Sequence, residues 1–103
     1  MPAAPHMDFA TVASAALAQA KSLLPEWFPN GKFRGREFVI GNIHGDVGES
    51  LSVNTLTGHW ADFSTDHKGG DLIALYAAIH GLSQIDAARR LGAAPRVGYR
   101  RLL

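Results

Sequence analysis

Between Asp8 and Leu24 the apolar side chains Phe9, Val12, Ala13, Ala16, Leu17, Ala20, Leu23 and Leu24 recur at steps of three and four. Such steps stack side chains on one face of an α-helix. Asp8 is suited to cap the start, and Pro25, which has no amide proton, is expected to end it. Pro25, Pro29 and Asn30-Gly31 punctuate the next segment, with Trp27 and Phe28 folding back onto the core. The period then changes from helical to extended. Residues 32–41 predict a strand, best formed from Arg36 to Ile40, followed by a polar, glycine-bearing connection. Residues 50–55 alternate, with Leu51 and Val53 opposite Ser50, Ser52 and Asn54, the pattern of a half-buried strand. Thr57-Gly58 predicts a turn, and His59-Trp60-Ala61-Asp62-Phe63 returns as a third strand. Short links favour antiparallel neighbours.

Gly69-Gly70-Asp71 opens a second helix, with Leu72, Leu75, Tyr76 and Ile79 on its buried face and Gly81 as a left-handed cap. Ser83 and Asp86 resemble a capping box for a third, where Ile85, Ala88 and Leu91 face inward and Gly92 closes the helix. The expected architecture is a small α+β domain, a three-stranded antiparallel sheet packed with about three helices.

Composition narrows the function classes. The 103 residues are the size of one domain, and 47% apolar content against 18% charged supports a packed core. There is no cysteine, so disulfides and thiolate metal sites are excluded, and a cytoplasmic location fits. A net charge of +1 is far from the strong basic bias of chains that hold nucleic acid by charge alone. No apolar run approaches a membrane span, and no membrane partner is expected. Residues 1–7 read as a flexible leader or cloning scar, 8–92 as the domain, and 93–103 as a basic tail or the start of a linker.

Residues 41–92 carry a recognisable constellation: a connection with His44, a Ser52-containing strand, then Trp60, Asp62, Phe63, Thr65, Gly69, Gly70 and Asp71, then Gly81-Leu82-Ser83 opening the last helix. This resembles the N-terminal zinc-ribbon domain of DNA primases, especially the phage and plasmid version. The resemblance implies a DNA-replication module of a mobile genetic element, contacting single-stranded template DNA or docking beside other replication proteins. On the ribbon pattern the metal-ligand positions fall on Gly41, His44, Phe63 and Asp66. A structural zinc site needs four Cys or His donors. The resemblance therefore implies the ribbon's shape with no metal and no cofactor, with Phe63 buried where a ligand would stand and Trp60, Phe38, Leu51 and Val53 joining it.

Lys32, Arg34 and Arg36 alternate, so in an extended chain they share a face; with His59 and Trp60 they offer cations for phosphates and rings for bases. The same residues equally suit a solvated sheet edge and a core tryptophan. Lys68 beside Gly69-Gly70 raises a phosphate site at a helix start, but Asp71 would repel phosphate and favours a capped turn. His44, His59 and His67 with Asp62 and Asp66 match no compact metal motif. Arg89, Arg90, Arg96, Arg100 and Arg101 make the C-terminal end basic, which suits a helix terminus as well as a nucleic-acid backbone. Nucleophile-elbow, phosphate-loop and cysteine-nucleophile signatures are missing. The expectation is a non-catalytic module, an enzyme being unsupported. The candidate nucleic-acid contacts are Lys32, Arg34, Arg36, His59, Trp60 and Lys68. The competing expectation is a protein-interaction module that binds a helicase, a polymerase or itself through exposed Trp27 and Phe28.

Overall fold

A computed structural model describes residues 8–93. The leader at 1–7 and the tail arginines at 96, 100 and 101 lie outside the described residues. The order is α1 (Phe9–Ala18), α2 (Ala20–Trp27), β1 (Lys32–Arg34), β2 (Glu37–Ile40), β3 (Leu51–Asn54), β4 (Trp60–Asp62), β5 (Lys68–Gly69), α3 (Leu72–His80) and α4 (Gln84–Ala93). The α+β class stands, but the sheet has five strands where three were expected, in the order β1-β2-β3-β4-β5, all antiparallel.

The two extra strands are short, and each arises from a turn. The stretch expected as one strand from 32 to 41 folds back on itself between Arg34 and Glu37, which pair across a two-residue loop. Gly35 takes φ +59 while Arg36 stays at negative φ, the type II′ arrangement that matches the twist of a hairpin. β5 is formed by Lys68 and Gly69 returning against Ala61 and Trp60.

The helix expected to stop at Pro25 instead breaks at Gln19 and resumes through Pro25 to Trp27. Proline deletes a single donor near the end of a short helix, and buried Leu23, Leu24 and Phe28 hold the chain on both sides of it. Asp8 caps α1 by accepting from the Thr11 amide, and Asp71 caps α3 by accepting from the Ala74 amide at 2.8 Å. Gly81 ends α3 in the left-handed region, and Ser83 Oγ accepts from the Asp86 amide at the start of α4. Gly92 lies inside α4, which runs on to Ala93. Ile85, expected inside, is 55% exposed, while Ala87 joins Ala88 and Leu91 in the core.

The helices pack on one side of the sheet, α1 against α3 and α4, and α3 against β5. Registers Phe33↔Phe38, Phe38↔Val53, Ile40↔Leu51 and Val53↔Trp60 place these side chains on the same, inner face. Phe38, Ile40, Leu51, Val53 and Trp60 meet Val12, Ala16, Leu23, Leu24, Leu72, Ile73, Leu75 and Leu91 in one core, and Phe33, 43% exposed, lies at its rim with its ring 4.9 Å from that of Phe38. Each large side chain buried there contributes about 1.5–3 kcal/mol.

The corner at 69–71 joins the two layers. The Trp60 indole lies against Gly69 so closely that a Cβ there would stand 2.7 Å from Nε1. The same Nε1–H donates to the Asp71 carbonyl at 3.0 Å, so the tryptophan ties the sheet to the first turn of α3.

Candidate functional site

The opposite, outer face of the sheet is built by the alternate residues of each strand. Register aligns Lys32, Val39, Ser52, Ala61 and Lys68 in one row from edge to edge. Arg34, Glu37 and Asn54 form the adjacent row. That row reaches His59, whose carbonyl accepts from the Asn54 amide at 2.8 Å. On the other side the Phe63 amide donates to the Ser50 carbonyl at 2.8 Å and extends the β3–β4 ladder by one more pair. His59, Ala61 and Phe63 therefore stand at alternate positions along β4 and its continuation. At ~3.3 Å per residue the two rings are separated by roughly 13 Å, with a methyl group between them.

Glu37, Ser52, Asn54, His59, Trp60, Ala61 and Phe63 line a shallow depression of about 270 Å³ on this face. Its floor is small and polar: Ser52 Oγ donates to Glu37 Oε1 across it. Asn54 Oδ1 accepts from the Leu56 and Thr57 amides at 2.8 and 3.1 Å, which fixes the β3–β4 turn just before His59. Cations stand at both edges, Lys32 and Arg34 on β1 and Lys68 on β5.

Of the six residues expected as contacts, Arg36 and Trp60 are placed differently from the expectation, and Lys32, Arg34, His59 and Lys68 lie around this face. Lys32 and Arg34 are exposed on it; Arg36 is exposed in the hairpin turn rather than beside them on a common strand. His59 and Lys68 are exposed at its far side. Trp60 is not a surface platform: it is 5% exposed, on the inner face, and hydrogen-bonded to the corner. Phe63 also differs from the expectation, since it is 83% exposed instead of buried. Its position was legible from period two alone, because Trp60 and Phe63 have opposite parity and cannot both face inward in an extended strand. The expected cluster of Phe38, Leu51, Val53 and Trp60 does form, without it. Phe28 is fully buried and half-buried Trp27 packs on Tyr76 at 5.4 Å between ring centroids, so both fold back onto the core as expected and neither is the exposed docking residue of the competing expectation.

Charge on the face is partly neutralised. Glu49 Oε2 accepts from Lys32 Nζ at 3.0 Å and from Arg34 Nη2 at 2.7 Å. The hydrogen bond from Lys32 holds the Glu49 carboxyl below its ordinary value; desolvation opposes this and the Arg34 guanidinium adds to it. The connection that presents Glu49 is organised by Asn42, whose Oδ1 accepts from the His44 and Asp46 amides, while the Gly41 amide donates to the Asp46 carbonyl.

Among the described residues Asp62 is the buried charged group, 3% exposed. Its Oδ1 accepts from the Ser64 amide at 2.9 Å and from Ser64 Oγ at 2.7 Å, which fixes the turn into β5. Burial pushes its carboxyl up, but the Ser64 and Thr65 donors and the nearby His67 outweigh it, so the net direction is downward. His44, His59 and His67 are all exposed, and among the described residues no three His, Asp or Glu side chains gather as a metal-ligand group. No described helix is long and apolar enough to cross a membrane. No family model matches the chain, and comparisons with curated proteins and with solved structures give no significant match.

Proposed function

We propose that this domain is a non-catalytic module that binds single-stranded nucleic acid, as the template-contacting part of a primase-like replication protein of a mobile element. The observation that carries the reading is the outer face of the sheet, on which no helix of the described residues packs. It presents two exposed rings, His59 and Phe63, over a floor of small side chains, with cations at both edges. Rings that reach solvent stack on bases of any identity, and edge cations follow the phosphates. The polar groups of the floor are engaged within the protein, Ser52 Oγ with Glu37 and Asn54 Oδ1 with the turn amides, so the expected preference is for unpaired strands rather than for a sequence. Replication proteins supply the biological setting through the likeness of residues 41–92 to primase ribbon domains, and a cytoplasmic location goes with that setting.

Fluorescence polarisation with a labelled thymidine oligonucleotide tests the reading. Binding is expected at low salt. Phe63→Ala should weaken it by roughly 5- to 150-fold, the equivalent of about 1–3 kcal/mol for a stacked base. Undetectable binding at low salt, or full affinity in Phe63→Ala, would overturn it. Docking to a helicase, a polymerase or a second copy is the alternative, and it loses its expected anchors because Phe28 is buried and Trp27 half-buried in the core.

A further inference from the structure

We propose that Lys32 and Arg34 form a phosphate subsite and that the Glu49 carboxylate occupies it in the free protein, as an internal competitor of the nucleic-acid backbone. The inference rests on the single-strand reading of the outer face and names how its β1 edge is controlled. Lys32 and Arg34 stand at alternate positions of the edge strand, and both converge on one oxygen, Glu49 Oε2, at 3.0 and 2.7 Å. An anionic oxygen already sits where the two cations focus. All three side chains are about half exposed, so a phosphate can reach the cations from solvent. Exposed ion pairs contribute little to folding, so exchanging the carboxylate for a phosphate leaves the fold intact. At the opposite edge Lys68 has no such acidic partner among the described ion pairs. The two edges therefore differ: β5 offers its cation at once, and β1 only after Glu49 is displaced.

The exchange balances electrostatically. An entering phosphate oxygen takes the Lys32 and Arg34 donors, and Glu49 returns to water. Neutralised phosphates release counterions from the nucleic acid, but the carboxylate set free in the same exchange takes up cations from solution and cancels part of that release. Freeing Lys32 and Arg34 in advance should therefore raise both affinity and the salt dependence.

The test compares wild type, Glu49→Gln and Asp86→Asn on the same labelled thymidine oligonucleotide over a range of salt concentrations. Asp86 lies on α4, on the helix side, and its substitution removes the same charge away from the face. Glu49→Gln is expected to bind several-fold tighter than Asp86→Asn. Its log–log salt slope should be steeper than that of wild type by about 0.7–1.4, for one or two additional phosphates neutralised on a single strand. Binding by Glu49→Gln with none by wild type also supports the subsite. Wild-type binding with Glu49→Gln indistinguishable from Asp86→Asn overturns the subsite and leaves the single-strand reading standing. No binding by any of the three overturns both.

Discussion

A methyl group on Gly69 would stand 2.7–2.8 Å from the Trp60 indole and 2.8 Å from the Ala74 Cβ. Both neighbours are fixed, one by its hydrogen bond to Asp71 and the other by the first turn of α3. Gly69→Ala is therefore expected to destabilise the domain by about 1–3 kcal/mol through overpacking, read as a lower urea midpoint at unchanged slope. Asp62 makes a different kind of contribution. Its folded carboxyl lies below the ordinary value of 3.8, so folding favours the ionised form. The stability it adds is fully present above pH 3.8 and is lost as pH falls through the lowered value. Asp62→Ala should cost on the order of 1–3 kcal/mol at neutral pH, since it strips two donors of their acceptor. The gap between variant and wild type should close below the carboxylate range. A gap that stays constant down to acid pH would assign the loss to packing instead.

The strand from Trp60 to Asp62 divides its labour by parity. Trp60 and Asp62 face inward and hold the corner and the β5 turn, while His59, Ala61 and Phe63 face out. Trp60→Ala is expected to cost about 3–5 kcal/mol in stability. Phe63→Ala, at 83% exposure, should leave the melting transition nearly unchanged and act on binding. The reverse pattern, a stable Trp60→Ala with lost binding, would return the tryptophan to the surface role. Much at this scale was readable in advance. The Asp8 and Asp71 caps, the Gly81 terminus and the inward Leu51 and Val53 follow from local chemistry. The misreadings have separate causes. Gly35 was passed over as a turn because Lys-Phe-Arg and Glu-Phe-Val-Ile join into one apparently continuous strand. β5 has two residues and no apolar alternation to announce it. Pro25 obeyed the burial of its neighbours rather than its own propensity. Phe63 was placed by likeness to a metal-ligand position, and strand parity overrode the likeness.

At the scale of the molecule, the four helices of the described residues cover one side of a five-stranded sheet, and among the described residues none packs on the other. An uncovered antiparallel face is ordinary when its residues are polar. Here it also carries an almost fully exposed phenylalanine, and its cations sit at the rim. A net charge of +1 excludes tight binding by charge alone, so affinity must combine stacking with a few phosphate contacts. Of the described cations around the face, Arg36 and Lys68 stand free of Glu49 and give the wild type a log–log salt slope of about −1.4 on single strands, with Lys32 and Arg34 extending it to about −3 in Glu49→Gln. The most direct measurement is amide chemical-shift mapping of the isotope-labelled domain during titration with a thymidine oligonucleotide. Shifts concentrated at Ser52, Asn54, His59, Ala61, Phe63 and Lys68, with α1 and α4 silent, are the predicted result. Shifts confined to the helices, with the outer face of the sheet unmoved, would contradict the account.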